Sequence, residues 1–128
     1  MRTMKSSILF SFLAVAAAAL FMMSCKKEAK ADATQPLQQS FQTAEPEVKK
    51  AIETVNNSLK TGNYSEAART LAPLVAERPM TDAQKQAVGV ALQQINQSIA
   101  VNPSLDTKEM YEMRAKMFKA VHNPNKRF

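Results

Sequence analysis

The sequence predicts an all-α fold, and three observations carry the prediction. Apolar residues recur every three to four positions over residues 46–121, the period of a helix with one buried face. Ala, Leu, Gln, Lys, Glu and Met, which enter a helix at little cost, are abundant, whereas only 2 Gly occur in 128 residues. No stretch alternates strictly between apolar and polar residues, so no strand is predicted. A chain of 128 residues has room for one domain. Its formal charge is +6, from 17 Lys and Arg against 11 Asp and Glu, a mild excess that does not by itself imply nucleic acid. The single cysteine, Cys25, excludes an intrachain disulfide.

The stretch 51–79 organises the domain as two helices joined by a turn at Thr61-Gly62. Pro46 opens the first helix where a missing N–H costs no bond. Val48, Ala51, Ile52, Val55 and Leu59 form its apolar stripe, and Glu45, Glu47 and Glu53 lie toward the positive end of its dipole. Gly62 ends it, free to take the left-handed conformation of a helix stop. Asn63 caps the second helix, with Glu66 three residues on as in a capping box. Its stripe is Tyr64, Ala67, Ala68, Leu71, Leu74 and Val75. Pro73 falls inside the stripe and predicts a kink or an early end; Pro79 stops what remains.

Thr81 and Gln84 make another capping box, opening the longest helix, about 82–100. Val88, Ala91, Leu92, Ile95 and Ile99 line one face, and small Ala87 and Gly89 would admit a close neighbouring helix. Asn102-Pro103 terminates it. Asp106 and Glu109 are expected to cap a fourth helix, about 107–121, with Met110, Met113, Met117 and Val121 along one side and Tyr111 and Phe118 beside them. Residues 123–128 read as a frayed basic tail.

The pattern Gly62-x-Tyr64-x-x-Ala67-x-x-x-Leu71 followed by Pro79 resembles the tetratricopeptide repeat, and Val88-Gly89 resembles the Leu-Gly pair of a following repeat. Small Ala67 would let the two helices of the hairpin approach while Tyr64 and Leu71 fill the space beside it. The resemblance spans about one repeat and a half, whereas repeat arrays usually need three or more units. Two arrangements therefore stand: an open solenoid, and a tetratricopeptide-like hairpin extended to a small four-helix bundle over residues 46–122.

The chain ahead of this domain reads as delivery apparatus. Arg2 and Lys5 precede residues 8–23, apolar except for Ser11 and shorter than the roughly 20 residues of a membrane-spanning helix. The run ends in Met22-Met23-Ser24-Cys25, which resembles the lipobox of bacterial lipoprotein signals: an apolar residue three before the cysteine and a small one just before it. The resemblance implies that residues 1–24 are a signal peptide, that Cys25 becomes a lipidated mature N-terminus, and that acyl chains hold the protein on a lipid bilayer. Lys26, where an Asp would retain such a protein in an inner membrane, implies the outer membrane. The alternatives are an uncleaved anchor helix, or ordinary cleavage within the alanine tract 16–19. Residues 25–45 then read as the lipidated cysteine and a flexible tether, polar and broken by Pro36. Fully extended, such a tether would reach about 70 Å. Leu37 and Phe41, spaced i, i+4, allow a short helix that tucks Phe41 against the domain.

The inventory of reactive groups is short. No thiol follows Cys25, and no glycine-rich loop or nucleophile elbow is present. The one histidine, His122, reads as a solvated helix-end residue. The chain is therefore expected to be a non-enzyme without a cofactor, binding a protein partner in the cell envelope and no nucleic acid. Met110, Met113 and Met117 form the one face that could hold a metal, as thioethers suit Cu(I). Core filling is the competing and favoured reading. Residues 113–128 carry five basic residues and no acid, which suggests a second mode of contact: a basic helix end against anionic lipid or cell-wall polymer.

Overall fold

The computed structural model describes residues 29–123. The leader, Cys25 and the basic residues Lys126 and Arg127 lie outside the described residues. Five α-helices follow one another: α1 (Thr34–Ser40), α2 (Pro46–Lys60), α3 (Tyr64–Ala76), α4 (Asp82–Val101) and α5 (Lys108–His122), with a 3-10 turn, Pro103–Leu105, before the last. No strand is present among the described residues, and the protein is all-α.

The helices close into a ring. α2 packs on α3, α3 on α5, α5 on α4, α4 on α1, and α1 back on α2. This is a closed bundle: α4 leans chiefly on α5 and α1 and touches its sequence neighbour α3 only narrowly. An open stack of hairpins is thereby ruled out. Leu37, Val55, Leu71, Val88, Ile95, Met110 and Met117, drawn from all five helices, are fully enclosed at the centre.

Local chemistry explains most helix ends. Pro46 is at the start of α2, and Gly62 follows its last turn with φ +76°, the only positive φ among the described residues. That conformation lets the Asn63 N–H reach the Ser58 carbonyl at 2.8 Å. The Asn63 side chain then accepts from the Glu66 N–H at 3.3 Å and starts α3. α3 runs through Pro73 to Ala76. Pro73 is exposed, so the carbonyl it deprives of a donor lies on the side of the helix that water can reach. At α4 both halves of the capping box form: Thr81 Oγ1 accepts from the Gln84 N–H at 3.1 Å, and Gln84 Oε1 from the Thr81 N–H at 3.0 Å.

Three expectations need correction. The cap of α5 is Thr107, whose hydroxyl accepts from the Met110 N–H at 3.1 Å. Asp106 is instead drawn to Arg114, 2.6 Å away, and Glu109 to Arg69. Gly89 is not required for a close approach, because a Cβ there would meet nothing nearer than Val121 Cγ1 at 4.0 Å.

The third correction is the largest. The flexible tether expected over residues 25–45 is structured from its first described residues. Ala33, Leu37 and Phe41 are buried: the short helix allowed by the spacing of Leu37 and Phe41 forms, tucks Phe41 against the domain, and adds a fifth helix to the four expected. Pro36 is the third residue of α1, where a backbone N–H would have no partner within the helix, so the helix begins ahead of it. Distant side chains pin this segment. Gln97 Oε1 accepts from the Ala31 N–H at 2.9 Å, and Gln94 Oε1 from the Ala33 N–H at 3.0 Å. Asn56 Nδ2 donates to the Thr34 carbonyl at 3.0 Å, and Gln84 Nε2 to the Ser40 carbonyl at 3.2 Å.

Candidate functional site

A solvent-open groove of about 970 Å³ lies between α4 and the end of α5. Leu92 and Val121 supply apolar lining, Lys85 and Asn96 polar lining. Phe118 and His122, one turn apart on α5, stand at its side with ring centroids 4.1 Å apart and planes inclined by 24°. Phe118 is 54% exposed, one of few large apolar side chains left in water. His122 Nδ1 lies 3.0 Å from the Phe118 carbonyl oxygen, so an Nδ1–H donates there and fixes the ring against Phe118. The groove offers an aromatic platform, apolar contact and amide hydrogen bonding, but no nucleophile paired with a base. That combination suits recognition of a peptide or protein surface.

Ion pairs elsewhere on the surface tie the helices to one another. Arg69 joins α3 to α5 by a forked pair with Glu109, Nε–Oε1 at 3.1 Å and Nη2–Oε2 at 3.4 Å, and also holds Glu66 at 3.1 Å. The hydrogen bond from Arg69, and then its charge, lower the Glu109 pKa below its ordinary value. Arg114 donates to Asp106 and, at 2.9 Å, to Asn96. It is therefore committed to the seam between α4 and α5, and the free basic character of the described α5 end rests on exposed Lys116 and Lys119.

The residues singled out from the sequence fall into separate places. Met110, Met113 and Met117 are buried within the apolar core, where their thioethers fill space against neighbouring helices. No group of three His, Cys, Asp or Glu among the described residues could hold a metal ion. Ala67 and Leu71 are buried on α3, and half-buried Tyr64 lines a second cleft with Lys30, Gln97, Val101 and Leu105. Cys25 lies outside the described residues, and no described helix is long and apolar enough to cross a membrane. Sequence reasoning missed the roles of Gln94, Gln97 and Asn56, because an amide on a helix normally signals nothing beyond a polar face. The chain matches no family model, no curated protein and no solved structure.

Proposed function

We propose that this chain is an exported, lipid-anchored, non-enzymatic binding module of the bacterial cell envelope, attached through Cys25 and engaging another envelope protein through the groove between α4 and α5. The observation that carries the reading is the solvent-facing Phe118–His122 pair beside that groove. A half-exposed aromatic ring held rigid by its neighbour gives contact area at little entropic cost, the property of interface anchors. The attachment rests on the basic head, the apolar run and the Met22-to-Cys25 sequence, with Lys26 favouring the outer membrane. In this reading the repeat-like residues Tyr64, Ala67 and Leu71 serve packing within the bundle, and the partner meets α4 and α5.

A photo-crosslinking residue at Phe118 in intact cells should capture one defined partner, and the same residue at Glu53, exposed on α2, should not. With that partner purified, Phe118→Ala should weaken binding by about fivefold or more, as for an interface anchor worth over 1 kcal/mol. Identical capture from both positions rules the groove out. A second reading, contact with anionic cell-wall polymer, is favoured by the exposed Lys116 and Lys119. It requires loss of polymer binding in the Lys116→Gln/Lys119→Gln variant with helix content unchanged.

A further inference from the structure

We infer that the bundle rests end-on against the bilayer that holds it, with the C-terminal end of α4 and Val101 toward the lipid headgroups, and the basic end of α5 and the adjoining mouth of the groove turned away. The inference rests on the lipid anchor proposed above, and adds the orientation that such an anchor would impose.

The argument starts from chain length. Only Lys26, Lys27 and Glu28 separate Cys25 from Ala29, so the two Cα atoms are at most about 14 Å apart whatever path the chain takes. Ala29 is held against the domain. Gln97 Nε2 donates to the Ala29 carbonyl at 3.4 Å, and Gln97 Oε1 accepts from the Ala31 N–H at 2.9 Å. The anchored sulfur is therefore leashed to the last two turns of α4. A 20-residue tether could have let the domain turn freely above the membrane; a leash of about 14 Å is shorter than α4 itself, which is about 30 Å long.

The surface at that end fits a membrane. Val101 lies one turn beyond Gln97 on the same face of α4 and is 86% exposed, the most exposed of the large apolar side chains in the described residues. Ala100 and Pro103 beside it are also exposed, and Leu105 is half-buried. A cleft of about 540 Å³ separates Val101 and Leu105 from Lys30 and Ala31 of the leashed segment. Lys30 is exposed, and so is Lys60, close enough to act electrostatically on the Asp32 carboxylate at the start of α1. Asp106, the acid next to Leu105, is neutralised by Arg114 at 2.6 Å. Asp32 offsets one of the two lysines, which leaves an apolar tip with a net positive flank, the pattern that settles into an anionic interface.

The opposite end is fixed by the same geometry. The last turn of α5 shares its groove with Asp82 and Lys85, at the start of α4, so α5 runs back along α4. Val121 packs on Gly89, twelve residues before Val101, so exposed Lys119 stands about 15 Å from Val101 along the axis of α4. Screening confines electrostatic attraction to about 10 Å, so this charge acts on partners above the membrane and not on the headgroups beneath the anchor.

The test uses the full chain, purified from membranes and reconstituted in vesicles of phosphatidylethanolamine and phosphatidylglycerol. An environment-sensitive fluorophore is placed on Val101→Cys or, as the far-end comparison, on Ala83→Cys; both positions are exposed, and Cys25 is consumed by lipidation. Nitroxide on the lipid headgroups should quench the label at 101 several-fold more strongly than the label at 83, and aqueous iodide should show the reverse order. Equal quenching at the two positions, on a chain whose intact mass carries the lipid, overturns the orientation and leaves the anchor standing. An unmodified mass overturns the anchor and the orientation together.

Discussion

Replacing Leu37 by Ala separates a packed α1 from a loose lead-in to the domain. Leu37 has no exposed surface and sits in the shared core. Truncation removes three carbons, about 2.4 kcal/mol at about 0.8 kcal/mol for each. The space left behind raises the loss to about 3–5 kcal/mol. Proteins of this size are stable by about 5–14 kcal/mol in all, so the variant gives up a large share of its stability. Its Tm should fall by about 12 °C or more, at about 4 °C for each kcal/mol. Urea unfolding followed by far-ultraviolet circular dichroism measures this on the purified protein, with Gln38→Ala as comparison. Gln38 is the exposed next residue, and its truncation should change stability by no more than about 0.5 kcal/mol. Coincident urea midpoints for the two variants would refute the burial of α1, and with it the ground for the short leash proposed above.

Other substitutions probe other joints. Gly62→Ala forces a side chain into φ +76° and should cost about 1–2 kcal/mol in the same urea assay; an unchanged midpoint would show that the α2–α3 turn is not held in that conformation. Gly89→Ala should stabilise by about 0.5–1 kcal/mol, since the new methyl meets only ordinary contact with Val121 and α4 loses a flexible residue; a lowered Tm would contradict the spacing of α4 and α5. Glu109→Gln tests the tie to Arg69 by pH. A carboxyl whose pKa is depressed in the folded state contributes in full above its ordinary 4.5 and loses that contribution as pH falls through the lower folded value. The Tm gap between wild type and variant should therefore be steady near neutrality and close in acid. Both partners are exposed and screened, so the gap is small, and a gap that persists unchanged through the acid range counts against the pairing.

The helices α2 to α5 are legible because each carries its own stop and start chemistry around a periodic stripe. Pro46, Gly62, Asn63 and the Thr81–Gln84 box act over a few residues, and local signals of that kind survive in any tertiary setting. α1 was harder to read. It has seven residues, and its burial depends on Gln94 and Gln97, which accept hydrogen bonds from backbone more than 60 residues away. Nothing in the segment itself announces those partners. The cap expected at Asp106 falls on Thr107 for a related reason: both residue types cap well, and Arg114, from the next turns of α5, draws Asp106 away. In the candidate site, the neighbourhood of Phe118 and His122 follows from helical spacing alone. Their groove does not, since it exists only once α5 folds back beside α4.

The closure of α1 onto α4 sets the order in which the molecule can be completed. A chain is synthesised from its amino end, so Leu37 and Phe41 emerge long before residue 94, the far side of the clasp that seals them. Through that interval they have only α2 for cover, and the nascent protein carries a sticky leading edge. Maturation is then a single late event, in which the first helix waits for the fourth. Any fragment that stops short of it is left half-shut and open to proteolysis.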